Sequence, residues 1–385
     1  MKRIYLDHSA ATPVDKEVLK AMNPYFKKDY GNASSIHYFG RTAGTAVEQA
    51  RKIIAGKLNA ETDEIIFTSG GTESNNLAVK GIAFEKKKGH IITSKIEHDC
   101  VLNACKWLET QGFEVTYLDV DKEGIVNIEQ LKKSIKNSTI LVSIMHANNE
   151  TGVIQPIEEI GKICREREVL FHTDACQSFT KENIDVKKMN LDLVTINSHK
   201  IYGPKGAGAL FIRRGVTLTP LLHGGGQEKK LRSGTINVSG IVGFRKAVEI
   251  NHKLDYIKKL RDYLINRIEK EIPNVRLNGH RTKRLCNNVN FSFKFVEGES
   301  ILMMLDKEKI SVSTGSACSS DSLEPSHVLV SMGVPIALAH GSIRFSLGKD
   351  NTKEEIDYTI DKLKIIIKKL RDLSPLKEED YAVHR

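Results

Sequence analysis

Between Ile65 and Arg213 the chain alternates short β-branched runs with segments of helical period, and this alternation limits the fold more than any other feature. The runs are Ile65-Ile66-Phe67-Thr68, Ile91-Ile92-Thr93, Val115-Thr116-Tyr117-Leu118, Ile140-Leu141-Val142-Ser143-Ile144, Val169-Leu170-Phe171-His172, Leu193-Val194-Thr195-Ile196 and Ala209-Leu210-Phe211-Ile212. Between them, segments such as 157–168 carry apolar residues at 157, 160 and 163, which fall on one side of a helix. Strands this apolar, separated by crossovers of helical length, predict an α/β fold around a large, mostly parallel sheet. After about Gly240 the pattern becomes a long charged helix over 242–272, then strands near 288–295 and 344–347, and a final helix over 353–373. A second, smaller α+β domain is expected. The expected division is a large domain at 14–250, a small domain made of 1–13 and 251–374, and a tail at 375–385.

Composition removes several function classes. Lys and Arg exceed Asp and Glu by 58 to 48 in 385 residues, a net charge of +10 that suits an anionic cofactor or acidic partner as well as nucleic acid. A single Trp and no basic patch with interleaved aromatics argue against nucleic-acid binding. No stretch approaches 18 consecutive apolar residues, and no apolar run follows the two charges at Lys2-Arg3, so neither a membrane span nor a secretory leader is expected. Six Cys without a C-x-x-C pair fit neither a disulfide framework nor a zinc site. The expectation is a cytoplasmic protein.

Ligands in parallel sheets bind beyond the carboxyl ends of strands, so the residues following each run carry the functional signal. After Ile65 comes Ser69-Gly70-Gly71-Thr72-Glu73-Ser74-Asn75-Asn76, a paired-glycine turn opening a helix; it suits a phosphate, although a plain capped turn looks the same. Asp174 stands at the end of the run at Val169, where it could equally be a helix cap. The next run ends Asn197-Ser198-His199-Lys200 before Ile201-Tyr202-Gly203-Pro204-Lys205-Gly206, placing a Lys where a Schiff-base amine could be activated, though an ordinary surface Lys is the alternative. Taken together, an anion nest, an Asp and a Lys in this order match the phosphate, ring nitrogen and aldehyde of pyridoxal phosphate. His98, after the run at Ile91, could stack on such a ring and move protons. Cys318 lies in a small, polar stretch, Gly315-Ser316-Ala317-Cys318-Ser319-Ser320-Asp321, which suggests an accessible carrier thiol; an incidental or redox-sensing thiol is the other reading. About twelve extended residues span roughly 40 Å, so such a loop could serve an inner pocket and an outer acceptor. Cys100, Cys105, Cys164 and Cys286 read as buried thiols, and Cys176 as one lining the pocket.

These motifs resemble the group I cysteine desulfurases of the NifS/IscS type over nearly the whole chain. The resemblance rests on Gly31-Asn32-Ala33-Ser34-Ser35-Ile36-His37, the Ser69 to Asn76 turn, Glu97-His98, Met145-His146-Ala147-Asn148-Asn149-Glu150-Thr151-Gly152 and the Asp174/Gln177 pair. It extends through Ser198-His199-Lys200, His223-Gly224-Gly225-Gly226-Gln227-Glu228, Arg232-Ser233-Gly234-Thr235, the stretch around Cys318 and Ser342-Ile343-Arg344. It implies a fold-type-I, aspartate-aminotransferase-like enzyme with pyridoxal 5'-phosphate bound to Lys200. Asp174 would pair with the ring nitrogen, Gln177 with the ring hydroxyl, and His98 would stack as acid/base. Gly71, Thr72, Asn197 and His199 would surround the phosphate, with Thr235 donated by the second subunit of a homodimer. Asn149 and Arg344 would hold the substrate carboxylate, and Cys318 would be the nucleophile. The implied reaction turns L-cysteine into L-alanine and leaves a Cys318 persulfide for an iron–sulfur scaffold or another sulfur acceptor. No metal is expected in the free enzyme, although Cys318 could ligate an iron–sulfur cluster in a scaffold complex. The sequence departs from many relatives at Asn197, Ala33 and Cys176. A selenocysteine lyase or aminotransferase on the same fold is the near alternative, and a non-enzymatic Cys/His metal or redox protein the distant one.

Overall fold

The computed structural model describes residues 3–314 and 324–375. Its strands are β1 (Ile4–Tyr5), β2 (Ile65–Thr68), β3 (His90–Ser94), β4 (Glu114–Leu118), β5 (Thr139–Ser143), β6 (Leu170–Asp174), β7 (Leu193–Asn197), β8 (Gly208–Ile212), β9 (Val275–Leu277), β10 (Asn288–Phe293), β11 (Ile310–Ser311), β12 (Ser313–Thr314) and β13 (Ser342–Ser346). The helices that matter here are α1 (Tyr38–Lys57), α2 (Gly71–Lys86), α3 (Asp99–Thr110), α4 (Ile157–Glu166), α5 (Val238–Glu249), α6 (Leu254–Glu271) and α7 (Lys353–Leu373).

All seven runs read as strands form one sheet, ordered β2-β8-β7-β6-β5-β3-β4. Every pairing in it is parallel except those of β8, which runs antiparallel to both β2 and β7. The connection 198–207 explains that exception, because a parallel crossover takes about a dozen residues or more, usually with a helix. Strands β2, β3, β6, β7 and β8 are buried along all or nearly all of their length because helices cover both faces. Leu141, Leu193 and Leu210 pack with α2 and α3 on one side, while Val142, Phe171, Val194 and Phe211 pack with α1, α4 and α5 on the other. Each fully buried Val, Leu, Ile or Phe contributes about 1.5–3 kcal/mol, so the two layers fix the sheet firmly.

The second sheet, β12-β13-β10-β9, is antiparallel and packs on α6 and α7. The chain start belongs to this core: β1 pairs with β11, and Ile4 and Leu6 are buried among Val289, Phe291 and Ile343. One expectation fails here. The long helix over 242–272 is two helices, α5 and α6, broken at 250–253. Asn251 is the cause: its Oδ1 accepts the Lys253 N–H at 2.9 Å, and Lys253 takes a left-handed conformation (φ 52°). A short polar side chain bonding the local backbone competes with helix propagation.

Candidate active site

Asp174 ends β6 and Asn197 ends β7, and the register sets Asp174 opposite Thr195, so both strand ends open on one edge of the sheet. Lys200 follows three residues later in a turn that Thr12 clamps from outside the sheet. The Thr12 N–H and Oγ1 both donate to the His199 carbonyl, at 2.9 and 2.8 Å, while Tyr202 N–H donates to Thr12 Oγ1 at 2.7 Å. From below, Lys181 Nζ donates to the carbonyl oxygens of Gln177 and Lys200, at 2.8 and 3.5 Å. The buried Asp174 carboxylate accepts from Asn75 Nδ2 at 2.6 Å and from Cys176 N–H at 2.8 Å. The second bond is cap-like, so the local and functional readings of Asp174 coexist.

The glycine turn lies beside this edge because Gly208 pairs with both Thr68 and Asn197. No side chain fits there. A Cβ on Gly208 would sit 2.7 Å from Gly70 Cα, and one on Gly71 would sit 2.6 Å from Cys176 Sγ. The bare backbone amides at the start of α2, which point along the positive end of its dipole, therefore face the ends of β6 and β7. Asn197 is buried with its Oδ1 unpartnered among the described residues, and so is Gln177 Oε1. Thr72 and Thr235 are exposed, and Arg232 ties the segment before Thr235 to α2 through Glu73 at 2.9 Å. Burial, then the charges of Lys200 and Lys205, push His199 down to about 4.

His98 is the N-cap of α3, its Nδ1 accepting the Cys100 N–H at 3.2 Å. Burial lowers its pKa, and the Lys200 ammonium adds to that. Its neighbour Glu97 is fully enclosed, accepts from Ser94 Oγ at 2.6 Å and Met145 N–H at 2.9 Å, and is pushed up to about 8 by burial. Asn149 and Arg344 meet across the two sheets: Arg344 Nη1 donates to the Asn149 carbonyl at 3.0 Å, and Nη2 to Asp7 Oδ1 at 2.8 Å. A cleft lined by His98, Asp99, Asn149, Glu150, Ser326 and His327 opens beside them. Cys318 lies outside the described residues. The sequence that follows it is anchored at this cleft, since His327 Nε2 meets the Glu97 carbonyl at 2.9 Å and Ser326 Oγ bonds the buried Glu150 carboxyl.

The family model for aminotransferase class-V matches residues 4–359. The chain belongs to the class-V aminotransferase family. Within it, this chain is 56% identical to "Cysteine desulfurase IscS" of Dictyoglomus turgidum, with 98% of each chain covered. It is 54% identical to the protein of the same name from Methanosarcina thermophila, over 99% of this chain and 96% of the relative. Among solved structures, a "NifS-like protein" superposes with a TM-score of 0.89 at 40% identity, covering 95% of this chain and 99% of its own. The structure described as "SspA in complex with cysteine" superposes with a TM-score of 0.82 at 41% identity, covering 91% and 100%. The resemblance read from the motifs and the fold class it implied are borne out.

Several residues of this class-V site were not legible as functional. Asn75 and Asp7 gain their roles through partners distant in sequence, Asp174 and Arg344, while Glu97 and Lys181 each combine a local partner, Ser94 and Gln177, with a more distant one, Met145 and Lys200. The signal that could have found Glu97 is a carboxylate directly after an apolar strand, next to a residue already singled out. Of the cysteines, Cys105, Cys164, Cys176 and Cys286 are buried, whereas Cys100 is only partly so.

Proposed function

We propose that this chain is a pyridoxal-phosphate-dependent cysteine desulfurase that converts L-cysteine to L-alanine and passes the sulfur on as a Cys318 persulfide. The observation that carries the reading is the convergence of Asp174, Lys200 and the Gly71 turn on one strand-end edge, each approaching from a different connection. The residues fit the cofactor. The turn excludes any Cβ at Gly71, as a phosphate cradle requires, and Gln177 and Asn197 each keep a buried amide oxygen with no partner among the described residues, as expected where a polar group completes the site. Lys200 would hold the aldehyde, Asp174 the ring nitrogen, Gln177 the ring hydroxyl, and Gly71, Thr72, Asn197 and His199 the phosphate. When bound, the cofactor supplies the electron sink that lets bonds at the substrate's α- and β-carbons break.

The chain's own residues do the rest. Arg344 has unused N–H donors, including a buried Nε unpartnered among the described residues, and with Asn149 would take the substrate carboxylate. Burial lowers the His98 pKa, so the neutral ring is favoured beside the substrate, where it would orient the reacting groups by hydrogen bond. Cys318 thiolate would attack the cysteine sulfur; the C–S bond breaks, alanine leaves, and one sulfur remains on Cys318. The names of the relatives support cysteine as the substrate and its desulfuration as the reaction; the sulfur would go on to an iron–sulfur scaffold or another acceptor.

The protein would act as a cytoplasmic homodimer with Thr235 reaching the partner subunit's phosphate site. Exposed Ile36 (90%), Tyr38, Phe26 and Tyr30 offer an apolar face for such an interface. Among the described residues no helix is long and apolar enough to cross a membrane. Separate cores support assigning 14–250 to the cofactor unit and 1–13 with 251–374 to the smaller one. Borohydride treatment of the purified protein followed by peptide mapping tests the cofactor assignment: a pyridoxyl mass on the Lys200 peptide is expected, and its absence after incubation with pyridoxal phosphate overturns it.

A further inference from the structure

Cys100 and Asn75 have no part in the chemistry above, yet they join its two most important ionisable groups. Asn75 is wholly buried in α2, and its Nδ2 donates both to Asp174 Oδ2 at 2.6 Å and to Cys100 Sγ at 3.1 Å. Cys100 Sγ in turn lies 3.1 Å from His98 Nδ1. The sulfur accepts from Asn75, so its own S–H is left to point at the imidazole nitrogen. Burial pushes the Cys100 thiol up to about 12, which keeps that S–H in place throughout the neutral range. His98 Nδ1 also accepts the Cys100 backbone N–H at 3.2 Å. The backbone N–H aimed at this nitrogen leaves no room for a proton on it, and the S–H is then the second donor that the nitrogen can accept.

We propose that Cys100, held by Asn75, is a positioning residue that locks His98 as a neutral imidazole carrying its proton on Nε2. The hydrogen bond made at one ring nitrogen decides which tautomer the other presents. Placement at a helix N-terminus favours the same neutral form, as in enzymes that use an uncharged His to donate to a developing charge. Among the described residues, the charged and titratable groups that face His98 most strongly are Lys200 and His327, which oppose protonation, and Asp174 and Asp99, which favour it. The thiol tips this balance further toward the neutral ring, and it couples the His98 tautomer to the Asp174 carboxylate through a single amide. His98 is therefore a donor through Nε2, not a base through Nδ1. What that donor does in turnover rests on the desulfurase reading; the tautomer does not.

The test is solid-state NMR of full-length holoenzyme labelled with ¹⁵N-histidine, with His98→Gln used only to assign the signal. In the wild type the account expects an unprotonated Nδ1 and a protonated Nε2 from pH 6 to 9. Cys100→Ala should raise the His98 protonation midpoint by about half a unit to one unit, the worth of one lost neutral hydrogen bond. Cys100→Ser, which restores a donor, should return it toward the wild-type value. A protonated Nδ1 in the wild type, or identical midpoints in all three proteins, overturns the proposal. The pH profile of cysteine turnover, read alongside, should move its acid limb with the NMR midpoint. Absence of turnover in every variant with the tautomer intact would instead count against the desulfurase reading alone.

Discussion

Arg344 is already engaged in the described chain. Its side chain is almost fully buried, and its charge is balanced by Asp7 at 2.8 Å. If this guanidinium takes the substrate carboxylate, Asp7 competes for the same positive charge. Asp7→Asn keeps an acceptor in place but removes the competing charge, so the KM for cysteine is expected to fall about three- to tenfold with little change in kcat. The urea midpoint should fall as well, because a buried guanidinium loses its counter-ion. An unchanged KM would show that Arg344 does not bind the carboxylate. A second residue is strained: Thr180, β-branched and buried, sits at φ 67° with its Oγ1 unpartnered among the described residues. Thr180→Gly removes both penalties, and equilibrium unfolding in urea should show a gain of about 1 kcal/mol. The motif residues were legible because strand ends in parallel sheets carry function whatever surrounds them. Asp7 was not, because a lone Asp near a chain start says nothing until its partner, more than three hundred positions away, folds against it.

At the scale of elements, the segment from His223 to Thr235 needs an anchor, since it carries few apolar residues. The anchor is Glu228, which accepts bidentate bonds from Arg51 of α1 at 2.8 Å each and the Phe67 N–H of β2 at 2.7 Å. Both side chains are buried. Arg51→Ala leaves a buried carboxylate unpaired and is expected to cost about 3–5 kcal/mol in urea unfolding. Loss below 1 kcal/mol would mean the segment is held otherwise. Strand existence was readable throughout the large sheet because apolar runs of four or five residues have no other use there. The reversed direction of β8 and the break at Asn251 were not, since one follows from a short connection and the other from a single side-chain bond.

For the molecule as a whole, pH response follows from buried groups held away from their ordinary range. Glu97 is pushed from 4.5 up to about 8 by burial, so the folded chain keeps a proton there that the unfolded chain has lost. Its contribution to stability is complete below about pH 4.5 and is lost as pH rises to about 8. His146 and His172 act in the opposite sense: burial takes both down to about 4, so their contribution is complete above about 6.5 and is lost as pH falls through that window. Glu97→Gln should therefore gain stability relative to the wild type between pH 5 and pH 8, by at least about 1 kcal/mol, and urea titrations at the two values should show it. A constant difference would place the Glu97 proton elsewhere.

The central claim is that sulfur leaves cysteine onto Cys318 at a site built by Asp174, Lys200 and the Gly71 turn. The measurement that tests it most directly is alanine and protein-bound persulfide formed per subunit when holoenzyme meets L-cysteine, for the wild type beside Cys318→Ala. The account predicts one alanine and one persulfide per subunit in a single turnover of the wild type, and neither from the variant. Full alanine release by Cys318→Ala would contradict it and would make the protein a lyase or transaminase on the same fold.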